Sequence, residues 1–391
     1  MRKSVLARSI GLIAAMCIAP VAYSADEIKI GFLTTLSGPG ASNGEDIRDG
    51  FMLAVKLNEG KFGGLPAKVY VNDDQLNPVS ARQTVERYIK RDDVDIVTGM
   101  VFSAVALPVI PTVLAADKIF ISTNTGPADY AGPKCDPNFF VVSWQNEDVP
   151  RAMGAFATQN GFKNVAIVAP NYPGGRETAA GFKRDYKGNL AEEIYTKLNQ
   201  LDYAAEIATL RAAKPDAVFY FLPGGMGINF VKQYNASGMQ KDVPLLTTGF
   251  TADVPDINAL GKLMVGVYNS SQWAADLPNE ANKKFVEAYQ KEYGRMPSMF
   301  SSQGYDAAML IDGAVRDAKG KIEDKDAFRA AMAKASFDSV RGDFRFNTNH
   351  YPIHDIHMRQ VVEDEAGIRN KTVGVALKDF HDPFAETCPM K

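Results

Sequence analysis

Short apolar runs rich in β-branched and aromatic residues alternate with segments of helical period along most of this chain, and that alternation limits the folds open to it more than any other feature. Ile28, Ile30 and Phe32 alternate with polar or small residues, a glycine-rich turn follows from Ser37 to Gly44, and Ile47, Phe51, Ala54, Val55 and Asn58 then fall on one helical stripe. Strand, turn and helix recur. Residues 67–71 read as a strand, and Asn77 and Pro78 supply a cap and a first residue whose missing N–H costs nothing; Val85 and Ile89 mark the inner face of the helix that follows. Residues 95–97 form the next strand, leading through Phe102 and Ser103 to a helix ending near Ala116, and residues 119–121 the one after. Helices of this length between strands give right-handed crossovers and a parallel sheet covered on both faces, a doubly wound α/β domain.

A second series begins after Phe139 to Trp144. Strands are expected at residues 165–168, 217–221, 245–246 and 265–267, with helices at 175–186 and 227–234. Two long amphipathic helices, 280–293 and 301–318, and a third at 324–333 follow with no strand between them, as if the chain returned to the first sheet. It closes with strand-like residues 344–346, 356–362 and 372–375. The expected division is one lobe of 26–143 plus 271–346, a second of 144–270 plus 347–380, and a tail of 381–391. No Pro/Ser-rich linker separates the lobes, so short strand segments must carry the chain between them.

The first 25 residues differ from the rest. Arg2, Lys3 and Arg8 precede an apolar run from Ile10 to Ala19 that is too short to span a bilayer, and Ala22 and Ser24 offer the small residues of a cleavage site. This is the pattern of a secretory signal peptide cut after Ser24 or Ala25, which would take Cys17 with it. Met16 fits a lipoprotein cleavage box poorly, so no lipid anchor is expected. Loss of three cations from a net charge of −3 leaves an exported chain at about −6, with no basic surplus for nucleic acid or an anionic membrane. The 46% of hydrophobic residues against 23% charged excludes wholesale disorder, and three cysteines are too few for a disulfide-dense scaffold or a Cys-rich zinc site. In an oxidising compartment Cys135 and Cys388 either pair or lie buried. A disulfide would close a very long loop and hold the tail from Phe384 to Lys391; the alternative is one buried thiol and one frayed end.

Three stretches together carry a family resemblance: Ile28-Lys29-Ile30-Gly31-Phe32-Leu33-Thr34-Thr35-Leu36-Ser37-Gly38-Pro39, the helix end Ala54-Val55 to Asn58, and Gly304-Tyr305-Asp306-Ala307. With the leader, the chain resembles the periplasmic solute-binding proteins of the branched-chain amino acid type over nearly its whole mature length. The resemblance implies two Rossmann-like lobes joined by three crossovers, which close on a small ligand in the periplasm. It implies delivery of that ligand to the permease subunits of an ATP-driven importer, by a monomer that needs no cofactor.

In open α/β sheets, ligands sit in the crevice at the carboxyl ends of the strands, lined by loops and helix N-termini. The candidates are therefore Ser42 and Asn43, Phe102 and Ser103, Asn124 and Gly126 on one side, with Tyr172 and Gly174, Gly224, and Phe250 on the other and Trp144 at the hinge. The resemblance implies that Ser103 and the backbone at Asn124 and Gly126 hold a ligand carboxylate. Ser103 also reads as an N-cap worth about 1 kcal/mol to its helix. Departures from the amino acid binders bear on the ligand: Asn43 and Gly174 stand where aromatic residues are common, and the loop that usually brings an acid to the ligand ammonium reads Thr247-Thr248-Gly249-Phe250-Thr251, with no carboxylate before Asp253. Burying an ammonium without a fixed anion is costly, so a carboxylate on an aromatic body, benzoate-like or phenylpropenoate-like, fits better than an amino acid. Gly174, Gly224 and Gly225 leave room for a ring, and Phe102, Tyr172, Phe250 and Trp144 either line it or are ordinary core.

Enzyme signatures are weak. The turn Gly38-x-Gly40-x-x-x-Gly44 lacks the dinucleotide spacing and a Walker lysine, and no G-x-S-x-G elbow occurs. His350, His354 and His357 would share a face only on a helix, which Pro352 opposes, so no metal site is expected. A transport receptor is the leading expectation, ahead of a ligand-presenting sensor of the same fold and of an exported enzyme.

Overall fold

The computed structural model describes residues 26–390, so the expected leader, residues 1–25, lies outside the described residues. β1 (Ile28–Thr34) buries Ile28, Ile30 and Phe32 and turns through Gly38–Gly40 into α1 (Ala41–Leu57). β2 (Lys61–Phe62) and β3 (Leu65–Asp73) form a hairpin, after which the Asn77 side chain accepts from the N–H groups of Val79 and Ser80 to cap α2 (Pro78–Arg87). Then follow β4 (Ile96–Thr98), α3 (Ser103–Ala106), α4 (Ile110–Ala115), β5 (Ile119–Ser122), α5 (Ala128–Ala131) and β6 (Phe139–Val141). The single helix expected from Ser103 to Ala116 is two, because Pro108 and Pro111 each lack the N–H that would continue the ladder. The sheet runs β2-β3-β1-β4-β5-β6, parallel except for the β2–β3 hairpin.

The second series comprises α6 (Asp148–Gln159), β7 (Asn164–Pro170), α7 (Pro173–Asp185), β8 (Asn189–Thr196), α8 (Ala204–Ala213), β9 (Ala217–Tyr220), α9 (Gly225–Ala236), β10 (Leu245–Thr248), α10 (Val254–Leu260) and β11 (Tyr268–Ser271). The strand expected at 265–267 is a turn. Gly266 has φ +89°, which breaks extended chain, and Val265 is exposed; the strand starts two residues later. After α11 (Glu280–Tyr293), α12 (Met299–Asp317) and α13 (Lys325–Lys334), the strands β12 (Arg345–Phe346), β13 (Pro352–Asp364) and β14 (Gly367–Phe380) join the second sheet as antiparallel members. Its order is β12-β13-β11-β10-β9-β7-β8, with β14 beside β13.

Helices α11 to α13 pack back on the first sheet's side. α12 lies against α1 so closely that a side chain at Gly50 would enter the Ser301 backbone and one at Gly304 the Ile47 backbone. Arg295, after α11, bridges Asp46 and Asp49 of α1 at 2.5 and 2.7 Å, and Lys325 of α13 pairs with Asp117 at 2.5 Å. The chain thus passes between the sheets after β6, after β11 and again before β12. One buried side chain ties two of these passages. Arg341 donates to the carbonyls of Val142 and Ser143 and pairs with Asp306 of α12 at 3.4 Å, which gives the aspartate of the Gly304-Tyr305-Asp306-Ala307 stretch a structural task. The tail is held by a Cys135–Cys388 disulfide whose Cα atoms stand 5.6 Å apart. Among the described residues no helix is long and apolar enough to cross a membrane.

Candidate ligand-binding site between the two sheets

Each sheet reverses its strand order once, between β1 and β4 in the first and between β7 and β9 in the second. At such a switch point the neighbouring crossovers leave on opposite faces and open a crevice beyond the strands' carboxyl ends. The four loops leaving these ends, with the first turns of the helices they enter, carry Ser42 and Asn43, Phe102 and Ser103, Tyr172 and Gly174, and Gly224, and the structure sets them face to face. The Phe102 and Tyr172 rings lie 6.3 Å apart, a Cβ on Gly174 would stand 3.1 Å from Ser103 Oγ, and one on Gly224 would stand 2.5 Å from the Pro39 carbonyl oxygen. The junction is buried, and surface cavities of about 640 Å³ beside Phe344 and about 590 Å³ between Arg295 and Asn370 lie away from it.

Ser103 opens α3 but makes no capping bond there. Its hydroxyl instead accepts from Asn146 Nδ2 at 3.4 Å, which removes the N-cap explanation for a buried serine at this place. Asn124 donates its amide to the Val101 carbonyl at 2.6 Å, and its Oδ1 is buried with no protein partner. Gly126 spends its N–H on Asn146 Oδ1 at 2.8 Å and packs against the Trp144 carbonyl, so that N–H is not free for a ligand carboxylate. Ser42 donates to Asn43 Oδ1 at 3.4 Å, and Asn43 Nδ2 is a second buried polar atom without a protein partner.

Phe250 sits in a short turn after β10. Its ring meets Trp144 edge-on at 4.2 Å and Phe221 at 5.1 Å, and Phe300, at the start of α12, comes within 6.4 Å. These rings draw together groups from both sheets and the first crossing, an arrangement of the kind that stabilises a flat apolar body. The nearest following acid is committed elsewhere. Asp253 accepts from Val254 N–H at 2.8 Å and pairs with buried Arg359 at 3.1 Å; burial pushes its carboxyl up, and Arg359 opposes the shift.

Three contributors escaped the sequence reading. Asn146, just past the first crossing, links Ser103, Gly126 and Glu177, and no local pattern distinguishes it. Glu177 lies one turn beyond Gly174 on α7; its carboxylate accepts from Asn146 at 2.6 Å and from Ala128 N–H, on the other sheet's side, at 3.3 Å. Burial raises it to about 7 against those donors. Gln303 of α12 is buried with neither amide atom partnered, and its helix was legible only as an apolar stripe.

Comparison with known proteins bears on this geometry. Residues 27–366 match the family model described as periplasmic binding protein. The Leu/Ile/Val-binding protein homolog 6 of Brucella melitensis is 25% identical over 366 residues, covering 91% of this chain and 93% of its own. A solute-binding protein of an R. palustris ABC transporter, solved in complex with benzoate, superposes with a TM-score of 0.88 at 29% identity, covering 93% of this chain and 99% of its own. One from Rhodopseudomonas palustris BisB5, in complex with 3,4-dihydroxy benzoic acid, gives 0.84 at 27% identity and covers 92% and 99%. A leucine-binding protein of Thermotoga maritima shares the fold, with a TM-score of 0.79 at 19% identity over 88% of this chain and 97% of its own. With the match spanning both sheets and the junction between them, the chain belongs to the periplasmic binding protein family.

Proposed function

We propose that this chain is the substrate-binding component of an ABC importer, and that it takes up a small aromatic carboxylate by closing two lobes over it. One observation carries the ligand class: the wall that would have to neutralise an ammonium presents Phe250, while Asp253 is consumed by Arg359. Opposite that wall, Ser103 offers a hydroxyl to a carboxylate, and Phe102, Tyr172, Trp144 and Phe250 offer faces and edges to a ring. The benzoate and 3,4-dihydroxybenzoic acid complexes of the two R. palustris neighbours support the same class.

In this reading the lobes are 26–143 plus 271–346 and 144–270 plus 347–380, except that the boundary residues Ser271 and Arg345–Phe346 pair with the second sheet and so move with the second lobe, and the segments near Trp144 and Gln272 absorb the rotation. A cleaved leader places the protein in the periplasm, where permease subunits are its partners. Because the ligand touches both lobes only in the closed form, its differential affinity shifts the population toward closure. A second reading, an amino acid ligand, draws on Glu177, a carboxylate near Ser103; both of its oxygens already accept hydrogen bonds, which weakens it as an ammonium partner. A thermal-shift panel separates the two. Benzoate and cinnamate should add RT ln(1 + [L]/Kd) to the folding stability and so raise the melting temperature, while leucine and valine do not; stabilisation by leucine alone reverses the assignment.

A further inference from the structure

The far end of the junction carries polar groups that an unsubstituted ring would leave unmet. α12 turns one face to α1, through Ser301 and Gly304. A neighbouring face starts with Met299, whose sulfur accepts from Ser271 Oγ at 3.7 Å, and with Phe300, beside Phe250. One helical turn on, four residues after Met299 and three after Phe300, stands Gln303. Three residues further, Asp306 holds Arg341, which in turn holds the carbonyls of Val142 and Ser143 next to Trp144. Gln303 therefore lies on the helix face directed at the first crossing and the aromatic cluster.

Gln303 is 2% exposed and, among the described residues, is the only buried amide with both atoms unpartnered. The indole N–H of Trp144 and Nε2 of Gln272, one from each of the first two crossings, are likewise buried without a protein acceptor. Folding leaves a buried carboxamide unmatched only at a cost, and a ligand oxygen able both to donate and to accept removes it. A phenolic hydroxyl has that capacity, and an aliphatic or bare aromatic end does not.

Building on the aromatic-acid reading, we propose that Gln303, with Trp144 and Gln272, forms a hydroxyl-reading end of the binding site, so that the preferred ligand is a ring-hydroxylated aromatic acid. Calorimetric titration of the mature chain with benzoate, 3-hydroxybenzoate, 4-hydroxybenzoate and 3,4-dihydroxybenzoate tests it, on the wild type and on Gln303→Met, which keeps length and removes both polar atoms. At least one hydroxylated acid should bind the wild type about tenfold more tightly than benzoate, and Gln303→Met should reduce that ratio, each affinity taken relative to benzoate on the same protein, to about threefold or less. Equal wild-type affinities for benzoate and all three hydroxylated acids overturn the proposal, and that comparison needs no variant. A preference that survives in Gln303→Met overturns the role of Gln303. Failure of every aromatic acid to bind overturns the underlying ligand class, whereas tight benzoate binding without hydroxyl preference overturns the hydroxyl-reading end alone.

Discussion

Replacing Gly224 by alanine introduces two effects that separate measurements can resolve. Gly224 adopts φ +65° and ψ −138°, a region that side chains other than glycine rarely enter, so Gly224→Ala costs on the order of 1–3 kcal/mol of folding stability whether the lobes are open or closed. The second effect exists only when the lobes meet. The new methyl would lie 2.5 Å from the Pro39 carbonyl oxygen, across the junction, whereas ordinary contact begins at 3.4 Å. The loops must separate by the difference, about 0.9 Å, or deform, and overpacking of this kind costs roughly 1–3 kcal/mol. Charged to the closed state alone, that is a loss of about 5- to 150-fold in ligand affinity. Gly225→Ala is the control: its Cβ would sit 3.3 Å from Pro39 Cβ, in ordinary helical backbone, and affinity should change by about threefold or less. Thermal unfolding without ligand reads the first effect and calorimetry with an aromatic acid reads the second. A lower melting temperature in Gly224→Ala with unchanged affinity would refute the idea that ligand binding brings Gly224 and Pro39 together.

Other consequences are equally direct. Ser103→Ala should weaken binding by roughly 1.5–3 kcal/mol through loss of a charge-assisted hydrogen bond, yet lower ligand-free stability by only about 1 kcal/mol or less, because no cap is lost and Asn146 Nδ2, which gives up its long bond to Ser103, keeps the one to Glu177; unchanged affinity in titration calorimetry contradicts the carboxylate assignment. Reducing the disulfide, or Cys135→Ser with Cys388→Ser, frees a cross-link between residues 253 apart and should cost up to about 5.5 kcal/mol in the chain-entropy model; mass spectrometry of unreduced protein should find the Cys135 and Cys388 peptides joined, and two free thiols would reject the bond. Glu177 is raised from 4.5 to about 7, so the folded chain binds more protons than the unfolded one between those values, and its contribution to stability, full below pH 4.5, is lost as pH rises toward 7. Denaturant titrations from pH 4.5 to 7.5 should therefore show a shallower fall for Glu177→Gln than for wild type; parallel curves would contradict the buried carboxyl.

The sheets were legible where strands are buried, since β5, β7 and β9 read as short apolar runs and β1 by the alternation of Ile28, Ile30 and Phe32 with Lys29 and Gly31. The edge strand β8 was not, because Asn189-Leu190-Ala191-Glu192-Glu193 is largely exposed and its polar composition carries no strand signal. α8 was missed for a similar reason: its apolar residues form no pronounced stripe. The site divides along the same line. Ser103, Tyr172, Gly224 and Phe250 could be named because loops after strands in a doubly wound sheet converge whatever their sequence. Asn146, Glu177 and Gln303 reach the junction through helix packing and chain crossings, which depend on contacts between residues far apart in sequence, such as Asp306 with Arg341.

Small-angle scattering of the mature protein, with and without saturating aromatic acid of independently measured affinity, tests the central claim most directly. Closure of the two lobes over the ligand predicts a smaller radius of gyration in the complex than in the ligand-free protein. An unchanged radius at confirmed saturation would contradict closure around a ligand held between Ser103 and Phe250.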